Sequence, residues 1–116
     1  MKIAKVAELL DARVLCCAER LNCEVTSAFG ADLMSDVLAF MDAETLLLTG
    51  LVNLHVIRTA EMLELPCVAF VSGKTVGEDI LSRAIEQNIV LLSTAHSLYE
   101  CSGLLYNAGL TGCKRG

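Results

Sequence analysis

Residues 45–64, TLLLTGLVNLHVIRTAEMLE, contain the pattern that decides the fold. The leucines at 46–48 form an unbroken apolar run, which is typical of a strand buried on both faces of a parallel sheet. After Gly50 the apolar residues recur at helical spacing, and polar residues occupy the other angles. The sequence therefore predicts a central strand, a tight turn at Thr49 and Gly50, and a crossover helix that begins at Asn53.

Two further pairs of strand and helix follow this unit along the chain. Apolar runs at residues 67–71 and 89–92 each end in small polar residues and precede an amphipathic segment. Before the unit, the sequence predicts an N-terminal helix and two short strands, at residues 13–17 and 24–29. Repeated strand and helix units with short connections favour a parallel sheet with right-handed crossovers. We therefore predict a single α/β domain over residues 1–116, with three α/β/α layers and a mostly parallel five-stranded sheet.

Polar residues that can cap helices stand before several of the predicted helices. A side-chain oxygen at such a position accepts a hydrogen bond from a backbone N–H in the first helical turn. The candidates are Asp32 for a helix over residues 33–41, Thr75 with Glu78, and Ser97 with Glu100.

The composition indicates a protein that buries much apolar surface. Apolar residues make up 54% of the 116 residues, and the mean hydropathy of +0.57 is high for a small domain. No run of about 18 apolar residues predicts a membrane span. Glu8 and Asp11 interrupt any secretory signal pattern, so a cytoplasmic location is expected. The net charge of −5, with a basic cluster only at Lys114 and Arg115, argues against a nucleic-acid surface.

The predicted helix over residues 33–41 is apolar around most of its circumference. Such a helix is either buried in the interior or packed against another subunit. In a domain of this size and hydropathy, the pattern favours a homodimer. The residues expected at the interface are Leu33, Met34, Val37, Leu38 and Met41.

The ends of three predicted parallel strands carry small or hydroxylic residues. Because parallel strands present their carboxyl ends at one edge of the sheet, we expect these tips to converge on a common rim. Backbone N–H groups, hydroxyls and one lysine there would suit a small anion. Gly, Ser and Thr are also ordinary turn and cap residues, so Lys74 is the residue that favours a site. The candidate ligand-binding residues are Thr49, Gly50, Asn53, Ser72, Gly73, Lys74, Ser93 and Thr94.

No arrangement of residues in the sequence predicts catalysis, a metal or a cofactor. The segment SGKT at 72–75 lacks the earlier glycine of a P-loop, where Val68 stands instead. Neither histidine has a Cys or a second His at metal-ligand spacing. The six cysteines form no C-x-x-C pair, which favours reduced structural thiols over a metal site.

Several segments together resemble the DRTGG domain, which is similar to the N-terminal domain of the bacterial HPr kinase/phosphorylase. They are DLMSDVL at 32–38, LLLTGL at 46–51, IRTA at 57–60, the strand tip at 68–74 and LLST at 91–94. The resemblance covers nearly the whole chain and implies an α/β/α domain with a five-stranded, largely parallel sheet. It also implies a regulatory role, because family members occur beside CBS or catalytic domains. Small stand-alone versions accompany iron-only hydrogenase and other redox genes.

Three functional hypotheses follow from these observations. The leading one is a non-catalytic cytoplasmic regulatory module that self-associates and binds a small anionic metabolite or a nucleotide at the rim. The second is an accessory protein of a redox enzyme such as iron-only hydrogenase, which would use Cys16, Cys17 and Cys23 in transfer or cluster handling. The third is a small enzyme that uses Lys74.

Overall fold

The computed structural model describes residues 1–113 and contains five strands and five α-helices within that range. Lys114 and Arg115, the basic pair of the sequence, lie outside the described residues. The strands are β1 (Arg13–Cys16), β2 (Ser27–Gly30), β3 (Thr45–Thr49), β4 (Cys67–Phe70) and β5 (Val90–Ser93). The helices are α1 (Ile3–Leu9), α2 (Met34–Phe40), α3 (Leu54–Met62), α4 (Glu78–Glu86) and α5 (Leu98–Asn107), with a 3-10 helix at Ala18–Arg20.

The strands form one sheet in the order β1-β5-β4-β3-β2. The pairs β2–β3, β3–β4 and β4–β5 are parallel, whereas β1 pairs with β5 in the antiparallel direction. The predicted α/β architecture with a mostly parallel five-stranded sheet is therefore confirmed. The middle strand is β4, and β3 lies between β4 and the edge strand β2.

The unbroken apolar runs are explained by a core on each face of the sheet. Leu46 and Leu48 of β3 pack with α1 and α5 on one face, while Leu47 packs with α2, α3 and α4 on the other. All five residues of β3 and all four of β4 are buried. Alternate side chains of a strand point to opposite faces, so the middle of a strand covered on both sides is apolar. The polar residues Thr45 and Thr49 stand at the two ends of β3, where their hydroxyls are hydrogen-bonded.

One of the three predicted helix caps, Ser97, is confirmed, and Asn53 also caps the helix that it opens. The Asn53 side-chain oxygen accepts a hydrogen bond from the Val56 backbone N–H at 3.1 Å. Ser97 Oγ accepts one from the Glu100 N–H at 3.2 Å. Each bond satisfies a donor that the first helical turn leaves without a partner.

The other two predicted caps are wrong. Helix α2 begins after Leu33, which gives no side-chain cap, and Asp32 turns instead toward the end of β3. Helix α4 begins after Gly77, again without a side-chain cap, so Thr75 lies before the helix and not at its boundary. In both cases the helix begins later in the chain than predicted, at Met34 for α2 and at Glu78 for α4.

The C-terminal segment covers part of the edge of β2. The Ala28 N–H donates to the Thr111 carbonyl at 3.0 Å, and Ala28 and Gly112 form an isolated parallel bridge. This contact occupies hydrogen-bonding groups that an exposed edge strand would otherwise offer to another chain. Across residues 1–113, no helix combines the length and the apolar character that a membrane crossing requires.

Candidate functional site

A pocket of about 520 Å³ lies at the carboxyl edge of the sheet, beside the paired strands β1 and β5. Four of the eight residues predicted at the rim line it, namely Gly73, Lys74, Ser93 and Thr94. The remaining walls come from residues that the rim prediction did not include: Asp11, Arg13, Leu15, Thr75, Val76, Leu81 and Ala95.

Arg13 reaches this pocket because β1 runs opposite to its neighbour. Arg13 is the first residue of β1 and stands across from Ser93, the last residue of β5. An antiparallel edge strand therefore brings its amino end to the edge where the parallel strands have their carboxyl ends. The sequence predicts a short strand at residues 13–17 but not its direction, and so the rim prediction missed Arg13. The missing information was the direction of β1.

Two cations dominate the charge of the pocket. Arg13 and Lys74 are both exposed, and neither forms an ion pair with any residue in the range 1–113. Asp11 contributes one carboxylate to the same wall, so the three charges sum to a local excess of one positive charge in a chain of net charge −5. With the hydroxyls of Thr75 and Ser93 nearby, the arrangement can bind an oxyanion through charge-assisted hydrogen bonds.

Two backbone N–H groups of the turn after β4 are already hydrogen-bonded within the fold. Ser72 and Gly73 adopt positive φ angles of 65° and 66°, a left-handed conformation that glycine accepts without strain. The Ser72 N–H donates to the His96 carbonyl at 2.8 Å, and the Gly73 N–H donates to the Thr94 carbonyl at 2.9 Å. Ser72 does not line the pocket. These two bonds fix the turn that leads into Lys74, whose side chain lies at the pocket wall.

Thr94 is a structural residue of the pocket floor. It is 2% exposed, and its hydroxyl donates to the Leu10 carbonyl at 2.7 Å. The same oxygen accepts a hydrogen bond from the His96 N–H at 3.2 Å. With both functions of the hydroxyl occupied, Thr94 connects the end of β5 to the end of α1 and contributes no free hydroxyl to a ligand.

The tip of β3 is closed by Asp32 and lies outside this pocket. The Thr49 hydroxyl donates to Asp32 Oδ1 at 3.0 Å, and the Gly50 N–H donates to the same oxygen at 2.8 Å. Thr49 is fully buried, and its oxygen also accepts from the Leu51 N–H at 3.1 Å. Thr49, Gly50 and Asn53 thus use their polar groups within the fold, and the rim is not one continuous site.

The five residues expected at a subunit interface divide into two groups. Met34, Val37 and Met41 are 3%, 0% and 2% exposed and pack in the core between α2 and the sheet. This burial corrects the expectation for these three side chains, because helix α2 directs them to the sheet of its own chain. Leu33 and Leu38 remain on the surface, 60% and 40% exposed, and Phe40 beside them is 39% exposed.

The six cysteines all lie in the described part of the chain as free thiols. Burial raises the pKa of the Cys17 thiol to about 11, with the neighbouring Cys16 adding to the effect. Burial likewise raises the pKa of Cys101 to about 11 and raises that of Cys67, which is completely buried. Within residues 1–113, no three or more His, Cys, Asp or Glu side chains are grouped to hold a metal ion.

Comparison with known proteins gives a structural match without a sequence match. No family model matches the chain, and no curated protein matches it. A solved structure does, namely the crystal structure of the CBS and DRTGG domains of the regulatory region of Clostridium perfringens pyrophosphatase, complexed with its activator, diadenosine tetraphosphate. The TM-score is 0.73 at 15% sequence identity.

The two proteins share a fold. The match covers 97% of the present chain and 51% of the pyrophosphatase chain, so the present chain spans about half the length of that regulatory region. The α/β architecture predicted from the sequence therefore occurs in a structure built from CBS and DRTGG domains. The likeness does not extend to the HPr kinase relationship that the sequence resemblance suggested.

Proposed function

We propose that this chain is a DRTGG-type regulatory domain that senses a nucleotide or a similar small phosphorylated metabolite and has no catalytic activity of its own. The observation that carries the proposal is that one pocket of an otherwise acidic protein holds two cations, Arg13 and Lys74, that form no ion pair within residues 1–113. A volume of about 520 Å³ is within the usual range for small-molecule sites. The structural match to a regulatory region complexed with a nucleotide activator supports the same class of ligand.

The charges of the pocket favour a phosphate ester over a bare polyanion. Arg13 and Lys74 can neutralise a phosphate, because a guanidinium and an ammonium both donate charge-assisted hydrogen bonds to its oxygens. Asp11, on the same wall, would repel additional phosphate charge but accepts hydrogen bonds from hydroxyls. A nucleotide presents both features, since its ribose hydroxyls are donors and its phosphate is the anion.

We predict that nucleotides stabilise the protein through these two cations. A nucleotide at 100 times its Kd should raise the free energy of unfolding by about 2.7 kcal/mol. Lys74→Met and Arg13→Met should each weaken binding about tenfold, because each removes one charge-assisted hydrogen bond. The measurement is thermal unfolding with ADP, ATP, diadenosine tetraphosphate and inorganic pyrophosphate, followed by titration calorimetry with the tightest of them.

Two controls make this test specific. Adenosine lacks the phosphate and should give no stabilisation, and Arg58→Met removes an exposed cation of α3 that does not line the pocket. Arg58→Met should bind as the unaltered chain does. Undiminished affinity in the Arg13→Met, Lys74→Met double variant would rule out this pocket as the site.

Self-association is the second part of the proposal, and the exposed apolar side chains at α2 support it. Leu33, Leu38 and Phe40 remain exposed at the start of α2 and along the borders of its buried side. We predict a dimer at micromolar concentration that Leu38→Lys weakens at least about tenfold, since a charge placed in an apolar contact loses its hydration.

Sedimentation equilibrium measures this effect directly. Tyr99→Lys is the matched control, because Tyr99 is 88% exposed on α5, in the opposite layer of helices. The control should leave the dimer unchanged. A purely monomeric protein at micromolar concentration would contradict this part of the proposal and leave the ligand site unaffected.

The two other functional hypotheses receive less support. A redox accessory role needs reactive thiolates, and burial raises the pKa of Cys17, one of the three cysteines expected to act in that role. An enzyme that uses Lys74 needs a lysine desolvated in a closed pocket, whereas Lys74 is exposed at the rim of an open one.

A further inference from the structure

A second pocket, of about 330 Å³, lies at the opposite edge of the sheet, where β4 and β5 begin. Its polar walls come from the ends of α3 and α4 and from the 3-10 helix after β1. Leu65, Pro66 and Ile89, which lead into the two strands, form the base. The polar lining residues are Arg20, Glu61, Glu64, Gln87 and Asn88.

Arg20 has a buried donor without an acceptor. Its Nε is buried and forms no hydrogen bond in the described part of the chain, and no ion pair joins Arg20 to a residue there. A buried N–H that leaves water without gaining an acceptor destabilises the folded state, so such groups are rare. An oxyanion in the pocket would pair with the terminal nitrogens of this guanidinium, whose charge no residue within 1–113 neutralises.

The pocket has two acidic residues, Glu61 and Glu64, and only one of them has a charge that a ligand could neutralise. Glu61 is neutralised by Arg83, whose Nε and Nη2 donate to its two oxygens, the second at 2.9 Å. Glu64 is exposed and forms no ion pair within residues 1–113. The pocket therefore presents one cation, Arg20, and one carboxylate, Glu64, that are available to a ligand. The side-chain amides of Gln87 and Asn88 add two neutral polar groups.

The ends of two helices add to this polarity. Helices α3 and α4 both finish at the pocket, and the carboxyl end of a helix carries a partial negative charge. That charge reinforces Glu64 and favours an ammonium group in the ligand. Arg20 at the same time favours a carboxylate, in which two oxygens match the guanidinium donors.

We propose that this pocket binds a free α-amino acid, with its carboxylate on Arg20 and its ammonium group on Glu64. A zwitterion matches a pocket that holds one charge of each sign and no net excess. The amides of Gln87 and Asn88 can donate to the carboxylate or accept from the ammonium group. The site is at the other edge of the sheet from the nucleotide pocket, so this proposal does not depend on the proposed function.

NMR spectroscopy of the uniformly ¹⁵N-labelled chain tests the proposal directly. The probe is an equimolar mixture of the twenty standard amino acids at millimolar concentration, which is then resolved into single compounds. Binding should shift the Arg20 Nε–H resonance and the side-chain amide resonances of Gln87 and Asn88. For the amino acid that binds, the analogues that lack its amino group or its carboxylate should each bind at least about tenfold more weakly.

Two variants separate the ligand from the scaffold. Arg20→Met keeps the aliphatic part of the side chain and removes the unsatisfied donor, so the free protein should unfold at an equal or higher temperature while amino-acid binding is lost. Glu64→Gln should weaken binding about tenfold, and Lys74→Met, in the other pocket, should leave it unchanged. No shift of the Arg20 Nε–H resonance with any of the twenty amino acids, or undiminished binding by Arg20→Met, would overturn the proposal.

Discussion

Replacing Asp32 by alanine is expected to lower the free energy of unfolding by about 2 kcal/mol. Its carboxylate accepts hydrogen bonds from the Thr49 hydroxyl at 3.0 Å and from the Gly50 N–H at 2.8 Å. Thr49 is fully buried, so its hydroxyl donor would lose its only acceptor in a place that water does not reach. Leaving a buried donor without a partner costs about 1–3 kcal/mol, and a bond to a charged acceptor is at the upper part of that range. Urea denaturation followed by circular dichroism measures the change.

Two further substitutions isolate the cause of that effect. Asp32→Asn keeps a carbonyl oxygen but loses the charge, so it should cost about half as much as Asp32→Ala. Asp36→Ala removes an exposed carboxylate one turn further along α2 and should change the free energy of unfolding by less than about 0.5 kcal/mol. Equal effects of Asp32→Ala and Asp36→Ala would show that the contacts of Asp32 with the tip of β3 contribute nothing.

Raising the pH from 8 to 10 is expected to destabilise the folded protein through its buried thiols. The folded pKa of Cys67 is raised above the ordinary value near 9, so the unfolded chain releases this proton in a range where the folded chain keeps it. Stability from a raised pKa is complete below the unfolded value and falls as the pH rises above it. Between pH 8 and 10, Cys67 alone should lower the free energy of unfolding by roughly 1 kcal/mol. Cys17 and Cys101, with pKa values raised to about 11, change stability in the same direction.

The comparison that isolates Cys67 is the pH dependence of Cys67→Ala. This variant is less stable at every pH because it loses packing in the core, but its stability should fall less steeply between pH 8 and 10. Urea denaturation at intervals of pH gives both slopes. Identical slopes for the two proteins would mean that Cys67 ionises in the folded state as easily as in the unfolded state.

The sheet could be predicted from the sequence because a strand that is buried on both faces has an uninterrupted run of apolar residues. The residues at 46–48 and 67–71 are apolar without interruption, and only a strand covered by helices on both sides requires that pattern. The helix starts at Asn53 and Ser97 were predictable for a similar reason, since the capping oxygen and the N–H that it accepts from are three residues apart. Apolar runs and capping pairs involve residues that are close in sequence, so they can be recognised without the structure.

The candidate site was only half predictable because it depends on contacts between distant residues. Lys74 follows a recognisable strand and was found, whereas Arg13 belongs to the site only because β1 is antiparallel to β5. The role of Asp32 was missed because a helix cap and a contact with Thr49 are equally compatible with its position before α2. The apolar residues around α2 led to an interface prediction with too many residues. Some of these side chains, such as Val37, pack against the sheet of their own chain.

The reversed edge strand also determines when the pocket between Arg13 and Lys74 exists. β1 and β5 pair although most of the chain lies between them in sequence. Contacts of such long sequence separation are slow to form, because closing a long loop costs chain entropy. Edge strands are likewise among the first segments to open in local unfolding. Arg13 and Lys74 therefore line one pocket only while β1 is docked, and the proposed ligand, held by both, would keep that strand closed. Occupancy of the pocket would then increase the mechanical rigidity of one edge of the sheet.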